Sequence, residues 1–158
     1  MLEAAGINPE RIAESSQQRF GVEVSYARPD GQVVKIKGFD VAPEFHAQKG
    51  GSVSAEFTAQ MVIVYKILAD FYYTKGMVAK YRSYLAKADE YLAQLGNMVI
   101  SSVSSGEQGE SCLPFATQDN VSTGNGRVIS QASSRGSIAS TAYTLFAYYN
   151  YNPLELKQ

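Results

Sequence analysis

The chain reads as a mainly α protein made of antiparallel helical hairpins, with one small β-hairpin near its start. Three observations carry that expectation. Apolar residues recur at helical spacing on both sides of Gly76, a period of two runs from Val22 to Phe39, and a last helical pattern stops at Asn152-Pro153. The whole of 1–158 fits one domain. A domain of that size removes roughly 70% of its unfolded surface from water, enough for a core without a disulfide or metal.

Taken in order, Asn8-Pro9-Glu10 is a helix start, with Asn8 as N-cap and Pro9 at the first helical position, and the helix ends near Gly21. Val22, Val24 and Tyr26 then alternate with polar residues. Arg28-Pro29-Asp30-Gly31-Gln32 supplies turn chemistry, and Val34, Ile36 and Phe39 complete the hairpin. Pro43 and Gly50-Gly51 bracket a loop, after which Ser52 or Ser54 caps a long helix with Glu56 in its first turn. That helix reaches Thr74, with Phe57, Met61, Val64, Tyr65, Leu68, Phe71 and Tyr72 as its apolar stripe.

Gly76 breaks the pattern, and Val78, Tyr81, Tyr84, Leu85, Ala88, Leu92 and Leu95 resume it, so the two helices form an antiparallel hairpin. Lys80, Arg82, Lys87, Asp89 and Glu90 give the second helix a solvated face. From Ser101 to Ser111 the sequence is rich in Ser, Gly and Glu and aperiodic, and irregular structure is expected to continue to about Gly136. Within it Leu113-Pro114-Phe115-Ala116-Thr117 is apolar enough to be pinned to the core, whereas Gly124-Asn125-Gly126 is a turn. The last helix, from Ser137 to about Asn150, has Ile138, Ala142, Leu145, Phe146 and Tyr149 on one side, and the small residues Ala139, Ser140 and Ala142 suggest a close helix contact.

Composition excludes several functions. The chain carries 14 Lys and Arg against 15 Asp and Glu, with no basic run, which argues against a nucleic-acid backbone or an anionic membrane as partner. Cys112 is the only cysteine and His46 the only histidine, so no internal disulfide, zinc site or cofactor is expected, and any Ser-His-Asp or Cys-His mechanism would depend on that one ring. Cys112 itself has no cationic neighbour in sequence and is expected to be buried and inert. Residues 1–16 carry acid where a signal peptide needs a basic start and an apolar core, and the longest apolar stretch, Met61 to Tyr65, is far short of a membrane span. Thr123-Gly124-Asn125-Gly126-Arg127 lacks the strand before it and the Lys-Ser/Thr helix after it that a phosphate loop needs.

Three segments together carry a resemblance: Ser54-Ala55-Glu56-Phe57-Thr58-Ala59-Gln60-Met61, then Leu113-Pro114-Phe115-Ala116-Thr117 followed by Thr123-Gly124, and finally Ser140-Thr141-Ala142-Tyr143 through Phe146-Ala147 to Tyr151-Asn152-Pro153-Leu154. In order and spacing they resemble the C-terminal hairpins of (α/α)-toroid proteins of the carbohydrate-active type, the architecture of six-hairpin glycosidases and polysaccharide lyases. The chain departs from that pattern at Phe57 and Tyr143, where Trp is common, and at Asn125 and Asn150. A closed ring needs about twelve helices, on the order of 200 to 350 residues. The resemblance therefore implies an incomplete toroid, the C-terminal part of a larger ring, a stand-alone module, or an arc completed by self-association. Such an arc would expose apolar side chains such as Met61 and Phe71.

The resemblance implies an oligo- or polysaccharide as partner and glycoside hydrolase or lyase chemistry, which commonly rests on a carboxylate pair. Glu56 is the leading catalytic candidate, because it sits at a helix start in the matching motif, where the dipole would keep it ionised; a capping role is the plainer alternative. Asp40, Glu44, Glu110 and Asp119 are the other carboxylates on loops or helix starts. Gln60, one turn after Glu56, could share a substrate hydroxyl with it or simply bond to it. Asp119, between the Gln118 and Asn120 amides, is a second substrate-binding candidate or a turn-former. His46 has a ring that titrates near neutrality and is either an acid-base group or a surface loop residue. Tyr143 is the candidate for stacking on a sugar face, although most of the 11 tyrosines sit at core spacing. A non-catalytic helical interaction module built on Thr58 to Leu95 is the rival reading, and no thirty-four-residue period recurs to make it a repeat array. The compartment stays open, extracytoplasmic if a preceding part carries a signal.

Overall fold

Residues 6–101 and 111–153 are described by the computed structural model of the chain. Helix α1 (Pro9–Phe20) begins as its sequence dictates: Asn8 Oδ1 accepts from the Glu10 and Arg11 amides, and Pro9 fills a position that needs no donor. Strands β1 (Gly21–Ala27) and β2 (Val33–Phe39) pair antiparallel with Val24 opposite Ile36 and Tyr26 opposite Val34. The period of two puts Tyr26 and Ile36 on the buried face and Glu23, Ser25 and Lys35 in water. At the turn, Gly31 adopts φ +85° and Asp30 Oδ1 accepts from the Gln32 amide.

The segment expected to be a plain loop after Pro43 contains a single helical turn, α2 (Pro43–His46), continued by a 3-10 turn, Ala47–Lys49. Helix α3 (Ala55–Thr74) is capped by Ser54, whose hydroxyl accepts from the Phe57 amide, and not by Ser52. Helix α4 (Val78–Asn97) returns antiparallel after Gly76, which takes the left-handed φ of +69° that ends α3. The hairpin of α3 and α4 is the one the sequence implies, but its stripe is rotated slightly. Thr58, Ala59, Val62, Tyr65, Leu68, Ala69 and Tyr72 are buried on α3, while Phe57 is exposed and Met61 and Phe71 are half-buried.

Four tyrosines form a column between α3 and α4. Tyr72 and Tyr84 stack at 5.6 Å, Tyr84 and Tyr65 at 6.1 Å, and Tyr65 and Tyr91 at 5.9 Å, with Phe39 of β2 closing the end at 5.1 Å from Tyr91. Their hydroxyls all reach α1. Tyr72 and Tyr84 donate to the two carboxylate oxygens of Glu10, and Tyr65 and Tyr91 both donate to Gln17 Oε1. Because residues seven apart share a helix face, two side chains satisfy four buried phenols and dock α1 on the hairpin. The Lys80 ammonium, 2.7 Å from Glu10, does most to hold that carboxyl below the usual glutamate range.

Within the stretch expected to be irregular, two short ribbons form: β3 (Ile100–Ser101) with β4 (Ser111–Cys112), and β5 (Val121–Ser122) with β6 (Val128–Ile129). Cys112 is half-buried in β4. Most of the expected 101–111 loop, with Glu110, lies outside the described residues. Helix α5 (Ile138–Tyr148) is capped by Ser137. The fold is mainly α, with α3 packed against both α4 and α5. The apolar side of α5 is not its buried one: Ile138, Leu145 and Tyr149 face water, Ile138 at 90% exposure, while the buried positions are Ala147 and Ser140, the latter one of the small residues expected at a close contact. Small residues win that interface because they let the α5 backbone approach α3 closely.

Candidate functional site

The three segments that carry the resemblance meet at one place. Val53-Ser54-Ala55, just ahead of α3, is held from both sides as if it were a central strand. On one side the Ser54 amide donates to Phe39 O; on the other Ala55 N donates to Phe115 O, Thr117 N to Val53 O, and Val53 N to Thr117 Oγ1. The same strap, Leu113–Thr117, anchors α5, since Ser137 N donates to Leu113 O and the Leu113 amide donates to Thr141 Oγ1. Helices α3 and α5 therefore start from one strap and run in the same direction, with the positive ends of both dipoles beside it. The sequence placed the strap against the core but could not name its partners.

Glu56 lies in the first turn of α3 at this junction, half-buried, and its Oε1 accepts from Gln60 Nε2 at 3.2 Å. Burial pushes its carboxyl above the usual glutamate value, the direction opposite to the one a helix start alone would give. Desolvation thus works against the helix dipole that was expected to keep Glu56 ionised, and makes the carboxyl easier to protonate than an exposed glutamate.

Gln60 and Tyr143 are brought together as well. Both line a cavity of about 170 Å³ between α3 and the segment after α5, together with Ile63, Ile67, Asn152 and Pro153. A larger cavity of about 320 Å³ adjoins it along α3, with Ile63, Ile67 and Asn152 common to both. Lys66 and Asp70 of α3, Tyr81 of α4, and Asn150 and Tyr151 after α5 line the larger part. Lys66 Nζ donates to Ala147 O and to Asn150 Oδ1, so it also closes the carbonyl end of α5. Burial lowers its ammonium below the usual lysine value.

The other two sequence candidates sit elsewhere. His46 is 3% exposed rather than on a surface loop: its Nδ1 lies 2.6 Å from Asp40 Oδ1 inside the turn that precedes α3. Asp40 is a hub, accepting also from the amides of Ala42 and Ser52, and it is itself 1% exposed. His46 Nε2 and the Ser52 hydroxyl are buried with no protein partner. Asp119 Oδ1 accepts from the amide and hydroxyl of Ser133 and thereby closes the 119–133 loop. Lys66 and Asp70 give no sequence signal because their helical spacing matches any solvated face; Asn150 stands where the resembling pattern often has Gly, and its φ of +56° is the left-handed conformation that Gly adopts most easily.

Among the described residues, no group of three or more His, Cys, Asp or Glu is placed to hold a metal ion, and no helix is long and apolar enough to cross a membrane. Fold and site together define a mainly α structure whose parallel α3 and α5 flank a groove of mixed polar and apolar lining. No family model matches the chain, and it matches no curated protein and no solved structure.

Proposed function

We propose that this chain is a segment of an incomplete (α/α)-toroid that binds or processes carbohydrate, by glycoside hydrolase or lyase chemistry, with Glu56 as the proton-transferring group. One observation carries the reading. The three resembling segments, separated by 51 and 15 residues of chain, converge on a junction where a partly desolvated carboxyl lies beside a groove holding an amide and a tyrosine ring. In this reading Gln60 orients Glu56 and offers its carbonyl to a sugar hydroxyl, while Tyr143 lies under a sugar face. Asp40 and His46 hold the turn that presents α3, and Asp119 shapes the loop above it; each acts through position.

The test is Glu56→Gln, assayed against a panel of neutral and acidic oligosaccharides by reducing-end release and by the unsaturated product that a lyase leaves. Loss of roughly 10²- to 10⁴-fold in turnover is expected for removal of a proton-transferring carboxyl. Unchanged turnover and unchanged tyrosine fluorescence titration would sink the assignment. A second reading, a non-catalytic helical interaction module, is favoured by the stripe of Ile138, Leu145 and Tyr149 that α5 turns to water. Its signature is a mass that rises with concentration while oligosaccharides leave the tyrosine emission unaltered.

A further inference from the structure

The larger cavity along α3 has a wall chemistry that selects among ligands. Lys66 and Asp70 stand one helical turn apart, so their head groups are neighbours on a single face. An ammonium offers only donors and a carboxylate only acceptors, whereas the amides of Asn150 and Asn152 offer both. Tyr81 and Tyr151 add ring surface, and Ile63, Ile67 and Leu85 add an apolar floor. A phosphate, sulfate or uronate would meet the Asp70 carboxylate, and an amine would meet the Lys66 ammonium, since like charges repel. A neutral ligand with adjacent hydroxyls that each donate and accept satisfies both groups, and the rings and apolar floor favour one with an apolar C–H face over a small zwitterion.

Size agrees with that chemistry. About 320 Å³ lies at the lower end of the roughly 300–1,000 Å³ typical of small-molecule sites. The smaller cavity beside Gln60 and Tyr143 adjoins it. From Glu56 to Asp70 the α3 axis advances roughly 21 Å, at about 1.5 Å per residue. We infer that Lys66, Asp70, Asn150 and Tyr151 form a distal subsite for a neutral sugar unit, and that the glycan lies extended along α3 with its other end at Glu56. The inference rests on the carbohydrate reading above and specifies its substrate class: an uncharged oligosaccharide of several units.

Lys66 is anchored by the α5 carbonyl end before any ligand arrives, so its side-chain ordering is already complete. The backbone of Asn150 is likewise fixed at a left-handed φ. A subsite with both groups held in place loses little freedom on binding.

The test uses the full chain with labelled isoleucine methyl groups, titrated with neutral hexasaccharides of glucose, mannose, xylose and galactose and with a hexauronate. Expected is a saturable shift of the Ile63 and Ile67 methyl signals with at least one neutral hexasaccharide. Asp70→Asn, a change on the exposed helix surface, should weaken that hexasaccharide at least tenfold, and Tyr151→Ala should do the same. Disaccharide binding at the Gln60 end should be unaffected. Equal hexasaccharide affinity for wild type and both variants overturns the distal subsite and leaves the Glu56 reading standing. Binding of the hexauronate in preference to all neutral chains overturns the neutral class alone, and silence of the whole panel overturns the carbohydrate reading with it.

Discussion

A methyl group at position 38 would stand 2.5 Å from Val53 Cγ1 and 2.6 Å from Thr58 Oγ1. Gly38 is therefore the point where β2 passes closest to the segment leading into α3. Thr58 Oγ1 uses that closeness twice, donating to Ser54 O and accepting from the Phe39 amide. Gly38→Ala is expected to cost about 1–3 kcal/mol, the usual penalty for overpacking a filled site, and urea unfolding will read it. Nothing local in the sequence marks Gly38, because the atoms that crowd it come from residues 53 and 58. His46 escaped the sequence for the same reason: its burial depends on the Asp40 hub and on chain that folds over α2. Asn8, Pro9 and Ser54, whose partners lie within three residues, were legible.

Among the elements, α1 and α5 show two ways of docking a helix. Helix α1 presents Glu10 and Gln17 to a row of phenols, so polar bonds fix its register along the hairpin. Helix α5 presents Ser140 and Ala147 to α3, keeps Tyr143 and Phe146 half-buried, and leaves Ile138, Leu145 and Tyr148 outside. Ile138→Ser, at a position 90% exposed, is expected to change stability by no more than about 0.5 kcal/mol in thermal or urea unfolding. A loss above about 1.5 kcal/mol would instead put the apolar side of α5 against the core. Periodicity reveals that a helix has an apolar face; it does not reveal whether the neighbour it meets wants bulk or closeness. The same limit explains why the short ribbons β3–β4 and β5–β6 were read as loop: two residues per strand give no period to detect.

Across the whole molecule, the buried phenols set a pH limit. Burial is the main cause that raises Tyr65, Tyr72, Tyr84 and Tyr91 above the ordinary 10.0, and it pushes Tyr26 up to about 12. In the unfolded chain these groups ionise near 10.0, while the native state keeps their protons. Their contribution is therefore complete below about pH 10 and is lost as pH rises through the folded-state values. In alkaline titration the phenolate absorbance of these five buried tyrosines should arrive together with the loss of circular dichroism, in one cooperative step. Ionisation of all 11 tyrosines with native dichroism intact would contradict the column. Glu10 acts in the opposite sense at the acid end: its carboxyl is held low, so its contribution exists above the ordinary glutamate value and fades as pH falls through the folded one.

At this scale the helical hairpin, the β-hairpin and the strap could be read from the sequence, because each is announced by spacing or turn residues. The groove could not, since it exists only where α3, α4 and the chain after α5 meet. The strap also fixes when the site can exist. Val53–Ala55 finds its second set of partners at Phe115–Thr117, and that strap is itself secured by later residues, Ala132, Gly136, Ser137 and Thr141. A ribosome releases α3 and α4 long before those residues are made, so the hairpin can close while the Glu56 turn still lacks one of its two flanks. Completion of the Glu56 turn thus waits until residues 113–141 have been made, and a chain cut short before α5 would retain its tyrosine column yet never assemble the place where Glu56 opens.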